Sequence, residues 1–422
     1  MLHKKLVNWF SQSLWNVVLK LMEALCLLLG SRFAARLCAS SIKVIPGRSE
    51  INFLVIARPS FDKDIDALAK HTDFGFVIIQ RGYTRFQKVF LVSDRCSQTY
   101  YQKSQRPFSN DGDPQAEFAD ELLRQANKHR DISGVLSANI DYWQDVGLKY
   151  QCKRRGLMFG VICRENAVIP EVVSENYKRY KESAYKFDGD FVVMAGEKSA
   201  EMFRSAGAVD DSSIYTTGLP RYDVWHNAVS QPHPDLITLL TFTQGYGADQ
   251  TFKEVLTIFL QLATSKSSNN VTFLIKTKDA EDTRLVQSMI SEPLSANVLV
   301  SDKISMVEAL SRSRGVVGYN SLSIIDALLS GCKILIPGWG DCEIQGNTCM
   351  YPKCSKSERF ISYQETETAL IAALNSLVES NPGRRQLDDS CIEYIQKYVT
   401  YRPNCLNSKC FEEMVLQLAQ KK

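Results

Sequence analysis

From about residue 50 onward, short apolar or β-branched runs alternate with longer helical stretches; the alternation breaks once and then begins again. Parallel strands require crossover connections, and one helix per crossover produces this rhythm, so the chain is predicted to build α/β units around parallel sheets. In the first half the predicted strands are 52–57, 76–80, 134–137, 158–163 and 191–194, with helices at 116–128, 172–185 and 198–206. The break spans 226–235, where Gln231, Pro232, His233 and Pro234 favour extended chain. The second half places strands at 236–242, 271–276, 297–300, 315–317 and 333–336, and helices at 252–263, 281–290, 306–313 and 322–330. Two more helices, 365–379 and 391–399, close the chain, and either is free to cross back and brace the first unit.

With 422 residues, 45% apolar and 23% charged, the chain has enough apolar sequence for several cores. The pattern divides it into a basic amphipathic helical segment (1–49), a first α/β unit (50–228), a second (229–380) and closing helices (381–422). Two such units face one another across a cleft at their strand ends, where open sheets bind ligands. The net charge of +3 is unevenly placed: Lys4, Lys5, Lys20, Arg32, Arg36, Lys43 and Arg48 oppose Glu23 alone before residue 50, leaving −3 for the rest. A mildly acidic body lacks the cationic face that nucleic acid requires. The twelve cysteines form no CxxC pair and read as free thiols in a reducing cytoplasm.

Residues 6–37 are rich in Leu, Val, Trp and Ala, but Asn16, Lys20 and Glu23 interrupt the ~20 apolar residues that a bilayer span needs. Trp9, Trp15 and the flanking cations suit an interfacial helix on an anionic leaflet, which would place the protein at the inner membrane face. A helix packed on the protein's own core is the other reading.

Residues 315–341, GVVGYNSLSIIDALLSGCKILIPGWGD, carry the most chemistry. A strand ends at Gly318, a polar turn follows, and a helix begins near Leu322. Unpaired N–H groups at that helix start suit Asn320, Ser321 and Ser323 to a diphosphate, and Asp326, one turn inside, to ribose hydroxyls. Simple N-capping by Ser321 is the alternative. Lys276 and Lys278 occupy alternate positions at a strand end and can both reach phosphate oxygens. In LLTFTQGYG (239–247), Thr243 and Gln244 precede glycines that permit close backbone approach to a ligand.

The segment IIDALLSGCKILIP, taken with TTGLPRYD (216–223), resembles the CDP-glycerol glycerophosphotransferase, polysialyltransferase and bacterial surface-carbohydrate transferase group of GT-B enzymes. The resemblance covers roughly 215–341. It implies two facing Rossmann-like domains and transfer of a sugar from a nucleotide-activated donor to a surface glycan or lipid-linked acceptor. Paired histidines expected of CDP-glycerol polymerases are not evident, since only His226 and His233 lie near the interdomain region, so a sugar is favoured over glycerol phosphate. The run Arg164-Glu165-Asn166 resembles a Lys-Glu pair at the corresponding strand end in surface-carbohydrate transferases, which makes Glu165 the first candidate for the base that deprotonates the acceptor. Pairing with Arg164 or helix capping is the structural alternative for Glu165, and Glu171 and Asp188 are secondary candidates. Arg221 either neutralises the leaving diphosphate or braces the linker through Asp223. Asp111 and Asp113 frame Gly112 within turn residues, so no Asp-x-Asp metal motif is read and the enzyme is expected to need no metal or cofactor beyond its donor. An epimerase or hydrolase of the same fold, or a non-catalytic scaffold, are the competing readings.

Overall fold

The computed structural model describes the chain except residues 1, 60, 105–111, 164–167, 227–233, 243–247, 266–269, 292, 380–384 and 422, with backbone alone at 2–16 and 104. Its strands form two sheets. The first contains β1 (Ile42–Ile45), β2 (Asn52–Ile56), β3 (Gly75–Ile79), β4 (Gly134–Ser137), β5 (Met158–Ile162), β6 (Phe191–Val193) and β7 (Ile214–Tyr215). Its order is β1-β3-β2-β4-β5-β6-β7, parallel except for β1 against β3. The second contains β8 (Leu236–Leu240), β9 (Thr272–Lys276), β10 (Val298–Ser301), β11 (Ser313–Val317), β12 (Lys333–Pro337) and β13 (Ile361–Gln364) in the all-parallel order β10-β9-β8-β11-β12-β13. Central strands such as β2, β5 and β8 are buried along their whole length, as sheets covered by helices on both faces require.

The order reverses between β2 and β4 in the first sheet and between β8 and β11 in the second. At such switch points the loops leaving neighbouring strands diverge, opening a crevice outside the carboxyl ends. The two crevices face each other. Helix Asp62–His71, which follows β2, packs on the 3-10 segment Pro220–His226, and the Glu171 amide, beyond β5, donates to the Asn347 carbonyl of the second unit at 2.9 Å.

The amino-terminal helix Leu2–Ala39 is kinked at Gly30 (φ 79°). It lies on the helices Tyr83–Phe90 and Pro114–Asn127, burying Cys26, Ala34, Ala35 and Cys38. Arg36 and Glu121 pair at 2.7 Å, Glu23 and Arg85 at 2.5 Å. Packing on the protein's own core thus accounts for one side of this helix. The segment expected to be wholly helical also contains β1, because Ile42, Val44 and Ile45 form an antiparallel edge on β3.

The carboxyl end crosses back. Helix Asn407–Ala419 sets Phe411 (fully buried) against the rings of Phe74 and Phe191 of the first unit, with centroids 6.3 and 5.9 Å away. The Thr400 amide donates to the Ala195 carbonyl at 2.6 Å.

Candidate functional site

The segment Thr216–Asp223 and its continuation to Trp225 form a junction between both units and the carboxyl-terminal helix. Gly218 has φ 87°, and a Cβ there would lie 2.6 Å from both the Asn407 side-chain Nδ2 and the Thr400 carbonyl oxygen, so only glycine lets the returning chain pass. Asp223 is buried and accepts from the Asn407 and Ser408 amides at 2.6 and 2.9 Å, capping the last helix. Arg221 does not bind Asp223. Its guanidinium forks onto the Asp64 carboxylate of helix Asp62–His71, where Asp64 is fully buried, and its own main-chain N–H donates to the same carboxylate at 3.1 Å. Of the two roles open to Arg221, the brace is occupied, through a different carboxylate from the one expected.

Two residues further on, the Trp225 indole donates to Asp326 Oδ1 at 2.8 Å. Asp326 is therefore only partly available to a ribose. Burial pushes its carboxyl up to about 6, against the indole hydrogen bond and the positive charges of Lys63 and Arg221, which pull it down. Exposed Lys63, at the start of the helix after β2, lies near enough for its charge to act on both Asp326 and Lys276.

Lys276 ends β9 and is buried, its ammonium donating to the Thr277 carbonyl at 2.6 Å. Burial lowers its pKa while Asp302 and Asp282 oppose that shift. Lys278 lies past the strand end with an exposed side chain, and its amide donates to Asp282 at 2.8 Å. The expected pair of parallel ammonium groups therefore becomes one buried and one exposed cation, because strand alternation stops at Lys276.

At the β11 end, Asn320 is not free for a ligand. It adopts φ 44° and is buried; its amide donates to the Thr348 carbonyl at 2.7 Å and its Oδ1 accepts from the Met350 amide at 2.8 Å. It pins the loop 342–350 over the strand end. The Ser321 hydroxyl accepts from the Ser323 amide at 3.2 Å, a turn bond just ahead of the helix; the N-cap is Leu322 rather than Ser321, and the helix, Ser323–Leu329, is only seven residues long. Glu165, Thr243 and Gln244 lie outside the described residues. Of the secondary candidates, Glu171 is exposed and Asp188 pairs with Lys149. Asp113 caps helix Pro114–Asn127 and pairs with Arg95 at 2.8 Å.

Several groups at the site carried no local sequence signal. At the first switch point, Arg58 pairs with Asp145 at 2.6 Å and stacks 4.1 Å over the Tyr142 ring, while Ser137 donates to the same carboxylate at 2.5 Å. Arg58 Nε and Asn139 Oδ1 are buried without a partner among the described residues. These positions, with Asp64, Trp225 and Lys63, come from separate stretches of chain, so no spacing motif contains them. A cavity of about 1000 Å³ lined by residues such as Arg48, Asn52, Lys128 and Arg130 lies at the opposite, amino-terminal ends of the first sheet's strands. Larger than the other cavities described, it is distant from the facing strand ends. Among the described residues no group of three His, Cys, Asp or Glu side chains is placed to hold a metal ion.

No protein-family model and no curated protein matches this sequence. Solved structures do match in fold. The wall teichoic acid polymerase TagF superposes with a TM-score of 0.54 at 10% identity, covering 98% of this chain and 99% of that one. A UDP-N-acetylglucosamine 2-epimerase described as putative, from Listeria monocytogenes, superposes with a TM-score of 0.50 at 11% identity over 89% of this chain and 98% of that one. A second TagF structure, soaked with CDPG, gives 0.50 at 12% identity over 99% of each chain. Two Rossmann-like sheets with opposed carboxyl ends, and these likenesses, give the chain the GT-B fold.

Proposed function

We propose that this chain is a glycosyltransferase that moves a sugar from a nucleotide-activated donor to a surface glycan or lipid-linked acceptor. The reading is supported by the opposed strand ends of the two sheets, where Lys276 closes β9 beside the β8/β11 switch point and the charge of Lys63 acts on both Lys276 and Asp326. The nucleotide would lie there. Lys276, Lys278 and Lys63 would meet its phosphates, together with the amides near Ser321 and Ser323, and Asp326 Oδ2 would take a ribose hydroxyl. A preorganised cationic site of this kind stabilises charge developing on the leaving nucleotide. In the transfer, Glu165 takes the proton of the acceptor hydroxyl, the acceptor oxygen bonds to the anomeric carbon, and that carbon's bond to the donor phosphate breaks with the electron pair leaving on the nucleotide.

A second reading, a nucleotide-sugar epimerase or hydrolase, is supported by the fold likeness to the Listeria monocytogenes protein. Thermal unfolding with CMP, CDP, UDP and GDP tests the common part: one of them should stabilise the protein, by about 2.7 kcal/mol at a hundredfold excess over Kd. Absence of stabilisation by all four refutes both readings. Nucleotide release from a donor in the absence of any acceptor separates the second from the first.

A further inference from the structure

The amino-terminal helix carries two opposed apolar faces. At about 100° per residue, Cys26 points into the protein, Val17, Leu21 and Leu28 fall on the opposite side, and Leu25 and Leu27 flank that face. Leu21 is 61% exposed, Leu27 66% and Leu28 79%. A helix apolar on both sides needs a covering for each. The protein's own core covers one, and nothing among the described residues covers the other.

The charges around this face say what covers it. Lys20 is exposed on the same helix, and Arg81, Arg85 and Lys88 are exposed on the neighbouring segment. Of these Arg85 is paired with Glu23. The sequence ahead of the face adds Lys4 and Lys5, with Trp9 and Trp15, and residues 1–49 hold a net +6 in a chain of +3. A second copy packed symmetrically on the same leucines would bring these like charges together, which opposes self-association. An anionic bilayer satisfies both features, because acyl chains accept the leucines while headgroup phosphates meet the cations. Beside the face, a groove of about 560 Å³ lined by Leu19, Met22, Phe86, Arg81 and Arg85 opens at the carboxyl end of β3, the end of the sheet that also faces the cleft. No helix among the described residues is long and apolar enough to cross a membrane.

We infer that the face formed by Val17, Leu21, Leu25, Leu27 and Leu28 docks flat on an anionic phospholipid surface, holding the cleft end of the first unit towards that surface. The inference stands independently of the reaction proposed above. Its test is flotation of the full chain with vesicles of mixed phosphatidylcholine and phosphatidylglycerol, against phosphatidylcholine alone. The full chain should bind the anionic vesicles, with affinity falling as salt rises. The triple variant Leu21→Glu/Leu25→Glu/Leu28→Glu, whose changes lie on the exposed side, should keep its unfolding temperature and lose more than about tenfold in vesicle affinity. Lys20→Glu/Lys88→Glu should weaken binding to anionic vesicles specifically. Equal binding of the wild type and the leucine variant overturns the inference. So does a wild-type dimer that the leucine variant converts to a monomer while neither binds vesicles.

Discussion

The pairing of Arg221 with Asp64 allows the two roles of that arginine to be separated by experiment. Asp64 is fully buried and the Arg221 side chain only 18% exposed, so Arg221→Met takes the guanidinium away from a buried carboxylate while leaving the Arg221 amide in place. Removing one partner of a buried pair destabilises by about 3–5 kcal/mol, whereas replacing both with apolar groups of similar volume is often neutral. For an α/β unit of this size that single change corresponds to a fall in unfolding temperature of about 6–20 °C. The double variant Asp64→Leu/Arg221→Met should recover most of it. Calorimetry of wild type, both single variants and the double variant closes the cycle. The same four proteins, titrated with whichever nucleotide stabilises the wild type, then test the other role. If Arg221 acts only as a brace, the double variant regains nucleotide affinity along with stability. If it also meets the diphosphate, stability returns and affinity does not. A fall of less than about 2 °C for Arg221→Met refutes the energetic argument itself.

Asp326 gives a pH signature. Its carboxyl titrates near 6 in the folded chain and near 3.9 in the unfolded one, so between those values the folded state holds more protons. Stability therefore declines as pH rises through about 4 to 6 and levels off above. Asp326→Asn keeps an acceptor for the Trp225 indole and has no such charge. It should gain on the wild type across this window by on the order of 2 kcal/mol, read from unfolding at about pH 4.5 and about pH 7; a pH-independent difference contradicts the assigned environment. Phe411→Ala removes a fully buried ring wedged between Phe74 and Phe191 and should cost about 3–5 kcal/mol. Asp223→Ala, which uncaps the same helix, should cost about 1–2 kcal/mol and raise amide exchange over residues 407–419 before the rest of the chain responds.

Strands with a largely buried apolar run were legible in the chain, and so was the half-exposed edge strand β10, whose run Val298–Val300 is apolar throughout. The runs 134–137 and 333–336 differ by no more than one residue from β4 and β12, since a continuous apolar run flanked by polar turn residues has one compatible fate in an α/β protein. The strands not anticipated, β1, β7 and β13, all lie at or beside a sheet edge with partly exposed or very short runs, where apolar content is diluted by residues such as Lys43 and Gln364. The unanticipated helices have a different cause. Asp62–His71 begins with Asp62, Lys63 and Asp64, which read as solvated charge, and its buried carboxylate pairs with an arginine 157 residues away.

The same limit governs the site. Sequence places Asp326 in the first turn of its helix, because local patterning determines which end of an element a residue occupies. It says nothing of partners 101 to 185 residues distant, and here the partners decide the roles. Gly218 admits the returning chain, Arg221 locks the first unit, Asp223 caps the last helix and Trp225 holds Asp326. Four functions within eight residues make the Gly-Leu-Pro-Arg-Tyr-Asp-Val-Trp run an architectural joint whose last member touches Asp326 of the second unit. The Trp225–Asp326 hydrogen bond ties that run to the second unit, so a change in the angle between the units is expected to alter this bond and, through it, the raised carboxyl. Trp225→Phe isolates that coupling: it keeps the ring and deletes the donor, so the Asp326 carboxyl should titrate higher still. If nucleotide affinity then keeps its wild-type pH profile, the joint does not communicate with the site.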